Sequence, residues 1–265
     1  MEKFNINNSD DFEIIVNDIR TGRIPILCKE PYWELYRGQS KNTYELKSNL
    51  SRSCNSIQEL AKKEKELIDS FKETISKTTN PNKFIHLSNN NATVFENEWR
   101  WIEQAQHYRL PTRLLDWTIK PEIALFFAVE SSKNDVGQFW VYKSHLDWSC
   151  DIHFDKNPYS ENDFDIISNS SFYISENHND KIAEKRREFQ DGKFTIQNHN
   201  QSLLSMEKQD KLKDKIIKHT INPKAKEDLL KYLNKININK ETVYVKYDEE
   251  IENIISNLKQ KLNLK

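Results

Sequence analysis

Glycine is scarce in this chain, with 4 among 265 residues, and that shortage removes several kinds of site at once. There is no G-x-x-x-x-G-K-S/T loop, no G-x-G-x-x-G fingerprint and no G-x-S-x-G elbow, so P-loop, Rossmann and α/β-hydrolase chemistry drop out. Cysteine is equally sparse. Cys28, Cys54 and Cys150 are widely spaced, odd in number and form no C-x-x-C pair, a pattern that fits a reducing compartment better than a disulfide framework. A cytoplasmic location is therefore expected. No stretch approaches the roughly 20 apolar residues of a membrane-spanning helix, Met1 to Asn8 has no charged-then-apolar secretory pattern, and no membrane partner is expected. Charge of neither sign dominates, since Lys+Arg number 40 and Asp+Glu 41. The global basic field that drives non-specific nucleic-acid binding is missing, which neither indicates nor excludes a nucleic-acid partner. Asp151, His153 and Asp155 alternate, but a solvated loop explains them better than a metal site, and no metal is expected.

What the chain does have is rings. Trp, Tyr and Phe make up 11% of a sequence only 36% hydrophobic, so aromatic side chains must supply much of the buried area. The length suits one larger α+β unit, and no fixed-period repeat or linker divides it.

Asp10 and Asp11 precede an i, i+3, i+4, i+7 stripe of Phe12, Ile15, Val16 and Ile19, which predicts an opening helix in an N-terminal extension over residues 1–32. Trp33 to Tyr36 reads as a strand that stops at Arg37-Gly38-Gln39, delivering Arg37 to an edge or mouth, with Gly38 free to turn the chain. Ser56 to Glu59 is a capping-box pattern, and Leu60, Leu67, Ile68, Phe71 and Ile75 mark the inner face of a long scaffold helix. Thr78 to Asn91 reads as a loop. A helix from about Glu96 to Tyr108 should carry Trp99, Ile102 and Ala105 inward and stop before Pro111. Arg113 to Trp117 is short enough for a strand, Thr118 can cap the apolar helix that follows, and Pro121 suits its first turn. Gly137 to Tyr142 completes a strand–helix–strand unit.

Beyond it, Leu146 to Asp180 is polar and reads as an insertion or lid. Lys181 to Phe189 is helical in composition, and Lys193 to Gln197 reads as a strand. Lys208 to Lys218 reads as a solvated helix face, Leu229, Leu230 and Leu233 as a helix, Val243 to Tyr247 as a strand, and Ile251, Ile254, Ile255 and Leu258 as a last helix. These elements predict an α+β fold: a single mixed domain with a small, mostly antiparallel sheet flanked by helices.

One junction asks for more than packing. His107, Tyr108, Thr112, Arg113, Asp116 and Trp117 crowd together just before the apolar run Ile123 to Val129, which needs no such company to be buried. Tyr36-Arg37-Gly38-Gln39, Gln106-His107-Tyr108, Leu110 to Thr118, Pro121 and Ala124 to Ala128 together resemble the FRG domain family, named for its Phe/Tyr-Arg-Gly motif. The likeness runs from Trp33 to about Leu262, making residues 33–265 an FRG-like domain with its polar insertion at about 146–180. It continues through Tyr173, Arg187, Gln190, Gly192 and Phe194 to Ile196. Arg109 departs from it, standing where the family more often has a small residue, from which it would narrow a pocket or add a phosphate contact.

The arrangement also looks similar to ADP-ribosyltransferases: an Arg at the end of an early strand, a hydroxyl-bearing strand end before an Ala/Phe-rich helix, and a later polar residue. That resemblance implies a substrate, NAD, and an acceptor that is protein or nucleic acid, while the FRG likeness implies a role as toxin or phage-defence effector, with an antitoxin or inhibitor protein as partner. Arg37, His107, Asp116 and Gln190 would then be catalytic. Tyr36, Arg37, Gln39, Tyr108, Thr112, Arg113, Trp117 and Thr118 would hold NAD. Cleaving the nicotinamide–ribose bond builds oxocarbenium character, which calls for phosphate donors, an aromatic face and an acceptor near the ribose. Gln190 stands where the later polar residue belongs and can orient a ribose hydroxyl but cannot act as a base. Blander explanations exist for each residue: an Arg37–Asp116 ion pair, a hydrogen-bonded core His107, core rings for Tyr108 and Trp117, and backbone contacts for Gln190. On those terms the chain would be a non-catalytic module binding nucleotide, nucleic acid or protein.

Overall fold

Two strands rich in aromatic and β-branched residues organise the sheet. β1 (Tyr32–Gln39) and β3 (Gly137–His145) run antiparallel and pair from Tyr32 opposite His145 to Gln39 opposite Gln138. Side chains alternate across a strand, and burial follows: Tyr36, Phe139 and Val141 join one hydrophobic cluster, Leu35, Trp140 and Tyr142 another. The computed structural model describes residues 5–22, 32–78, 94–145, 157–159, 166–169, 189–244 and 249–263. Over these residues the sheet gains β2 (Leu115–Thr118), β4 (Ile166–Asn169), β5 (Gly192–Gln197) and β6 (Ile216–Ile221). The strand order is β4-β5-β2-β1-β3-β6, every neighbouring pair antiparallel. The expected α+β fold with its antiparallel sheet is what the chain adopts.

The six longer helices among the described residues gather on one face of the sheet in two groups. α1 (Ser9–Arg20) starts where the Asn8 side chain accepts from the Asp11 N–H, and buries Phe12, Val16 and Ile19. α4 (Pro121–Val129) and α5 (Lys226–Lys235) lie in the same layer, with Leu229 and Leu233 packed near Phe12 and Phe139. On the same face, toward the β5 end, α2 (Ile57–Ser76), α3 (Val94–His107) and α6 (Glu249–Lys261) enclose Phe194 and Ile196 of β5. The opposite face, with Leu35, Trp117, Trp140 and Tyr142, is sealed by Leu46, Met206 and Leu212 from the connecting segments.

β1 does not stop at Arg37. It continues to Gln39 and is internal rather than an edge, because Gly38 is a packing position and not a turn. A Cβ there would stand 1.8 Å from the Ala124 carbonyl oxygen and 2.6 Å from the Ala128 nitrogen; only glycine lets α4 lie this close to the strand.

Three further expectations are corrected. The strand after α3 begins at Leu115, since Arg113 is drawn into the core by Glu64. Thr118 does not cap α4: Lys120 is the N-cap and makes no side-chain cap bond, while the Thr118 hydroxyl donates to the Gln190 carbonyl and accepts from the Lys120 N–H. Val243 closes a one-turn helix, Lys240–Val243, instead of opening a strand, because Asn239 and Thr242 form a reciprocal capping box there that outweighs β propensity. The strand of that region is β6, whose start falls inside the stretch read as a solvated helix face; Ile216 and Ile221 point inward from it. Most of the Thr78–Asn91 loop, Asp151, His153, Asp155, residues 181–188 and residues 245–248 lie outside the described residues, and so does most of the expected insertion, from which β4 is an exception.

Candidate ligand-binding site

β2 pairs with β5 at four positions but with β1 at one, Tyr36 opposite Thr118. Past that pair the ladder between β1 and β2 ends, and a cavity of about 500 Å³ opens at this place, a size typical of small-molecule sites. One wall is β1 from Tyr36 to Gln39 with Ser40 just beyond it, and another is β2 from Asp116 to Thr118. α4 supplies Ile123, Ala124 and Phe127, and the next turn adds Glu130 and Ser131 at the same helical spacing. Tyr44 and Arg52 enter from the segment after β1, and Gln190 from just before β5.

Arg37 bridges the gap. Its Nη1 donates to the Asp116 main-chain carbonyl and stands 4.0 Å from the Asp116 carboxylate. Its Nε is buried with no hydrogen-bond partner. Burial pulls the Arg37 pKa down to about 10, opposed by Asp116 and assisted by the like charge of Arg52. The Asp116 carboxylate is 51% exposed, and both of its oxygens lie 2.9 Å from the donating Gln106 Nε2. Gln106 is held in turn by the Thr112 hydroxyl, which donates to its Oε1 at 2.6 Å. Thr112 thus acts on the cavity from behind, through Gln106 and Asp116.

Of the residues singled out in the sequence, Tyr36, Arg37, Gln39, Asp116, Trp117, Thr118 and Gln190 border this cavity. Several are also tied into the scaffold. Tyr36 donates its hydroxyl to Glu34, and burial together with that carboxylate pushes its pKa upward. Gln39 donates to the Glu45 carbonyl and accepts from the Trp140 indole. Trp117 donates to the Thr195 hydroxyl at 2.9 Å, and Gln190 donates to the Val243 carbonyl at 2.8 Å.

His107, Tyr108, Thr112 and Arg113 do not border it. His107 Nε2 lies 3.2 Å from Glu103 Oε1, its ring edge-on to Phe194, beside a cavity of only about 30 Å³ that shares Asp116, Trp117 and Gln190. Tyr108 is buried edge-on to Phe71 in the core. Arg113 is fully buried: Nε lies 2.9 Å from both Glu64 oxygens, and the other nitrogens donate to the Gln197 and Pro158 carbonyls. His199 Nε2 lies 2.8 Å from the same carboxylate. Burial works to raise the Glu64 pKa, but Arg113 and His199 outweigh it and hold the acid below its usual value.

The end of α3 explains the split. Leu110 N–H bonds the Ala105 carbonyl and Arg109 N–H the Gln106 carbonyl, both at 2.9 Å, with Arg109 at φ 59°. This is a Schellman ending, which needs a left-handed residue. A small residue suits the position, and Arg109 sits there for the turn; it is not part of the cavity lining.

Arg52, Tyr44 and Glu130 were not singled out in the sequence, and Phe127 was read only as part of the apolar run of the motif. Glu130 had a signal, being seven residues after Ile123 on the same helical stripe. It accepts from the Tyr244 hydroxyl, whose ring leans on Phe126 and Phe127 at 6.0 Å. Arg52 had none, since its place depends on the one-turn helix Asn49–Arg52 and its cap Ser48. The rim is closed from the C-terminal half by Lys226, which is 1% exposed and whose Nζ donates to the Ser40, Ser131 and Ser132 carbonyls at 2.8, 3.3 and 2.9 Å.

Fold and cavity together define an α+β domain with a polar cleft where two central strands part, bordered by two guanidiniums, two carboxylates and several rings. Residues 33–136 match the family model of the FRG domain. The matched stretch contains Arg37, Arg52, Asp116 and Glu130; Gln190 and Lys226 come from beyond it. No curated protein and no solved structure matches the chain. Among the described residues, no helix is long and apolar enough to cross a membrane.

Proposed function

We propose that the protein is an NAD-dependent ADP-ribosyltransferase that modifies a protein or nucleic acid, acting as a toxin or phage-defence effector, with an antitoxin or inhibitor protein as a partner. The observation that carries this reading is that Arg37, Asp116, Trp117, Thr118 and Gln190, distant in sequence, border one cavity. Arg37 would hold a phosphate of the substrate. Phe127 or Tyr44 would offer a ring face; the Trp117 and Tyr108 rings are buried in the core and do not have that role. In the reaction the C1′–N bond breaks, nicotinamide leaves as a neutral molecule with the bonding electron pair, and the acceptor atom bonds to C1′. The acceptor's proton passes to a carboxylate, Asp116 or Glu130. His107 is assigned no step, because Glu103 is its neighbour and the main cavity does not include it.

A second reading, a non-catalytic nucleotide-binding module, is favoured by Gln190, an amide that cannot take a proton and that donates to Val243. Labelled NAD with a cell extract separates the two. The transferase releases nicotinamide and labels a macromolecule; the module binds nucleotide and does neither.

A further inference from the structure

Arg113, Arg37 and Arg52 show arginine in two conditions. Arg113 spends its whole fork, on the Glu64 carboxylate and on two carbonyls, with none of its side chain exposed. Arg37 and Arg52 do not. The nearest carboxylate to Arg37 is 4.0 Å from Nη1, and its buried Nε has no partner. Arg52 donates Nη1 to the Lys47 carbonyl at 2.8 Å and Nη2 to the Asn49 amide oxygen, both neutral acceptors that fix its direction without neutralising it. Both guanidiniums border the same cavity. The carboxylates there are engaged elsewhere, Asp116 by Gln106 and Glu130 by Tyr244. Two guanidiniums brought together at a cleft without carboxylate forks leave N–H donors unspent that an anion can meet, and planar N–H donors match phosphate oxygens in particular.

We infer that Arg52 is the second guanidinium of a phosphate site shared with Arg37, so that the cavity takes a diphosphate-bearing nucleotide in preference to a neutral nucleoside. The inference rests on reading the cavity as a nucleotide site and adds the residue that selects the charged ligand. Burial lowers the pKa of both arginines, and the charge of each is felt at or near the same acid, Asp116, in keeping with one shared corner. Arg52 is exposed to solvent where it borders the cavity, open to an incoming ligand's charge.

The test is calorimetric titration with inorganic pyrophosphate, ADP and adenosine, at low and at high salt, of the parent, Arg52→Gln and Arg52→Lys. The parent should bind pyrophosphate and ADP, with adenosine at least about tenfold weaker. Arg52→Gln should lose roughly tenfold or more for ADP with a shallower salt dependence and no change for adenosine, and Arg52→Lys should recover part of the loss, since it keeps the charge but not the fork. ADP binding that is the same in Arg52→Gln as in the parent, or adenosine bound as tightly as ADP, overturns the inference. If the parent binds the phosphates, Arg52→Gln loses them and no nicotinamide is ever released, the phosphate site stands and the transferase reading falls. Nicotinamide release whose KM for NAD is unmoved in Arg52→Gln gives the reverse. Arg52→Lys with a parent-like melting curve guards against a loss that reflects only the folding of the Asn49–Arg52 turn.

Discussion

Arg37 donates to the main-chain carbonyl of Asp116, 79 residues along the chain, across the point where β1 and β2 cease to pair. The bond joins two strands that have little else between them, yet the Arg37 side chain is still 18% exposed. Arg37→Ala should therefore cost no more than about 1–2 kcal/mol of stability, the range of ordinary point substitutions, while weakening nucleotide binding. Urea unfolding alongside ADP titration checks both halves; a variant that fails to fold would place Arg37 with the scaffold.

Arg113 should behave in the opposite way. Its partner Glu64 is wholly buried, so Arg113→Met leaves a carboxylate without its guanidinium, a loss of about 3–5 kcal/mol in comparable buried pairs. The expected outcome is a large fall in the urea midpoint. A double variant, Arg113→Met with Glu64→Leu, should regain part of it by removing the stranded charge.

Gly38→Ala tests the Arg-Gly part of the motif. The added methyl would collide with backbone of α4 at 1.8 Å, and backbone cannot swing aside as a side chain can. The helix must move off β1, which carries the cavity wall with it. We expect insoluble protein or a loss of stability above about 3 kcal/mol, at the upper end of overpacking costs; a stable variant with unchanged ligand binding would refute the packing role.

His219 on β6 makes stability depend on pH. It is 8% exposed, its Nε2 has no hydrogen-bond partner, and burial lowers its pKa from 6.5 to about 4. Between those values the unfolded chain binds a proton that the folded chain refuses. The contribution is therefore whole above about pH 6.5 and is lost as pH falls toward about 4, on the order of 3 kcal/mol in all. Denaturant titrations at several pH values should show this slope in the parent and a shallower one in His219→Gln.

Glu130→Gln and Tyr244→Phe address the carboxylate that the sequence reading passed over. If Glu130 takes up the acceptor's proton or steadies the sugar cation, the amide should lower kcat by about a hundredfold or more, as general-base removal does, with little change in ADP binding. Tyr244→Phe, which frees that carboxylate from its hydroxyl donor, should shift the pH profile of turnover and leave melting nearly unchanged. Equal turnover in Glu130→Gln would return the role to Asp116.

Much of the fold was legible because its signals are local. The stripe of Phe12, Val16 and Ile19, the cap at Ser56 and the apolar run with Pro121 at its start each name their element without knowledge of the rest. β6 was not legible: Ile216 to Ile221 is a weak alternation beside a Lys-rich stretch, and it becomes a strand by pairing with β3. The site divides in the same way. Arg37 and Asp116 were found because they sit in a dense motif, whereas Arg113 belongs to that motif and serves the core. No spacing along the chain distinguishes a guanidinium that meets Glu64 from one that meets a cavity. Arg52 lies outside the motif altogether and reaches the cleft only through a one-turn helix.

Nicotinamide release by the purified protein, compared with Arg37→Ala and Asp116→Ala, bears most directly on the transferase reading. The expected result is release by the parent in the presence of an acceptor extract and its loss, by about a hundredfold or more, in both variants with melting curves near the parent's. Nucleotide binding without release by the parent, or release unchanged in both variants, would contradict it.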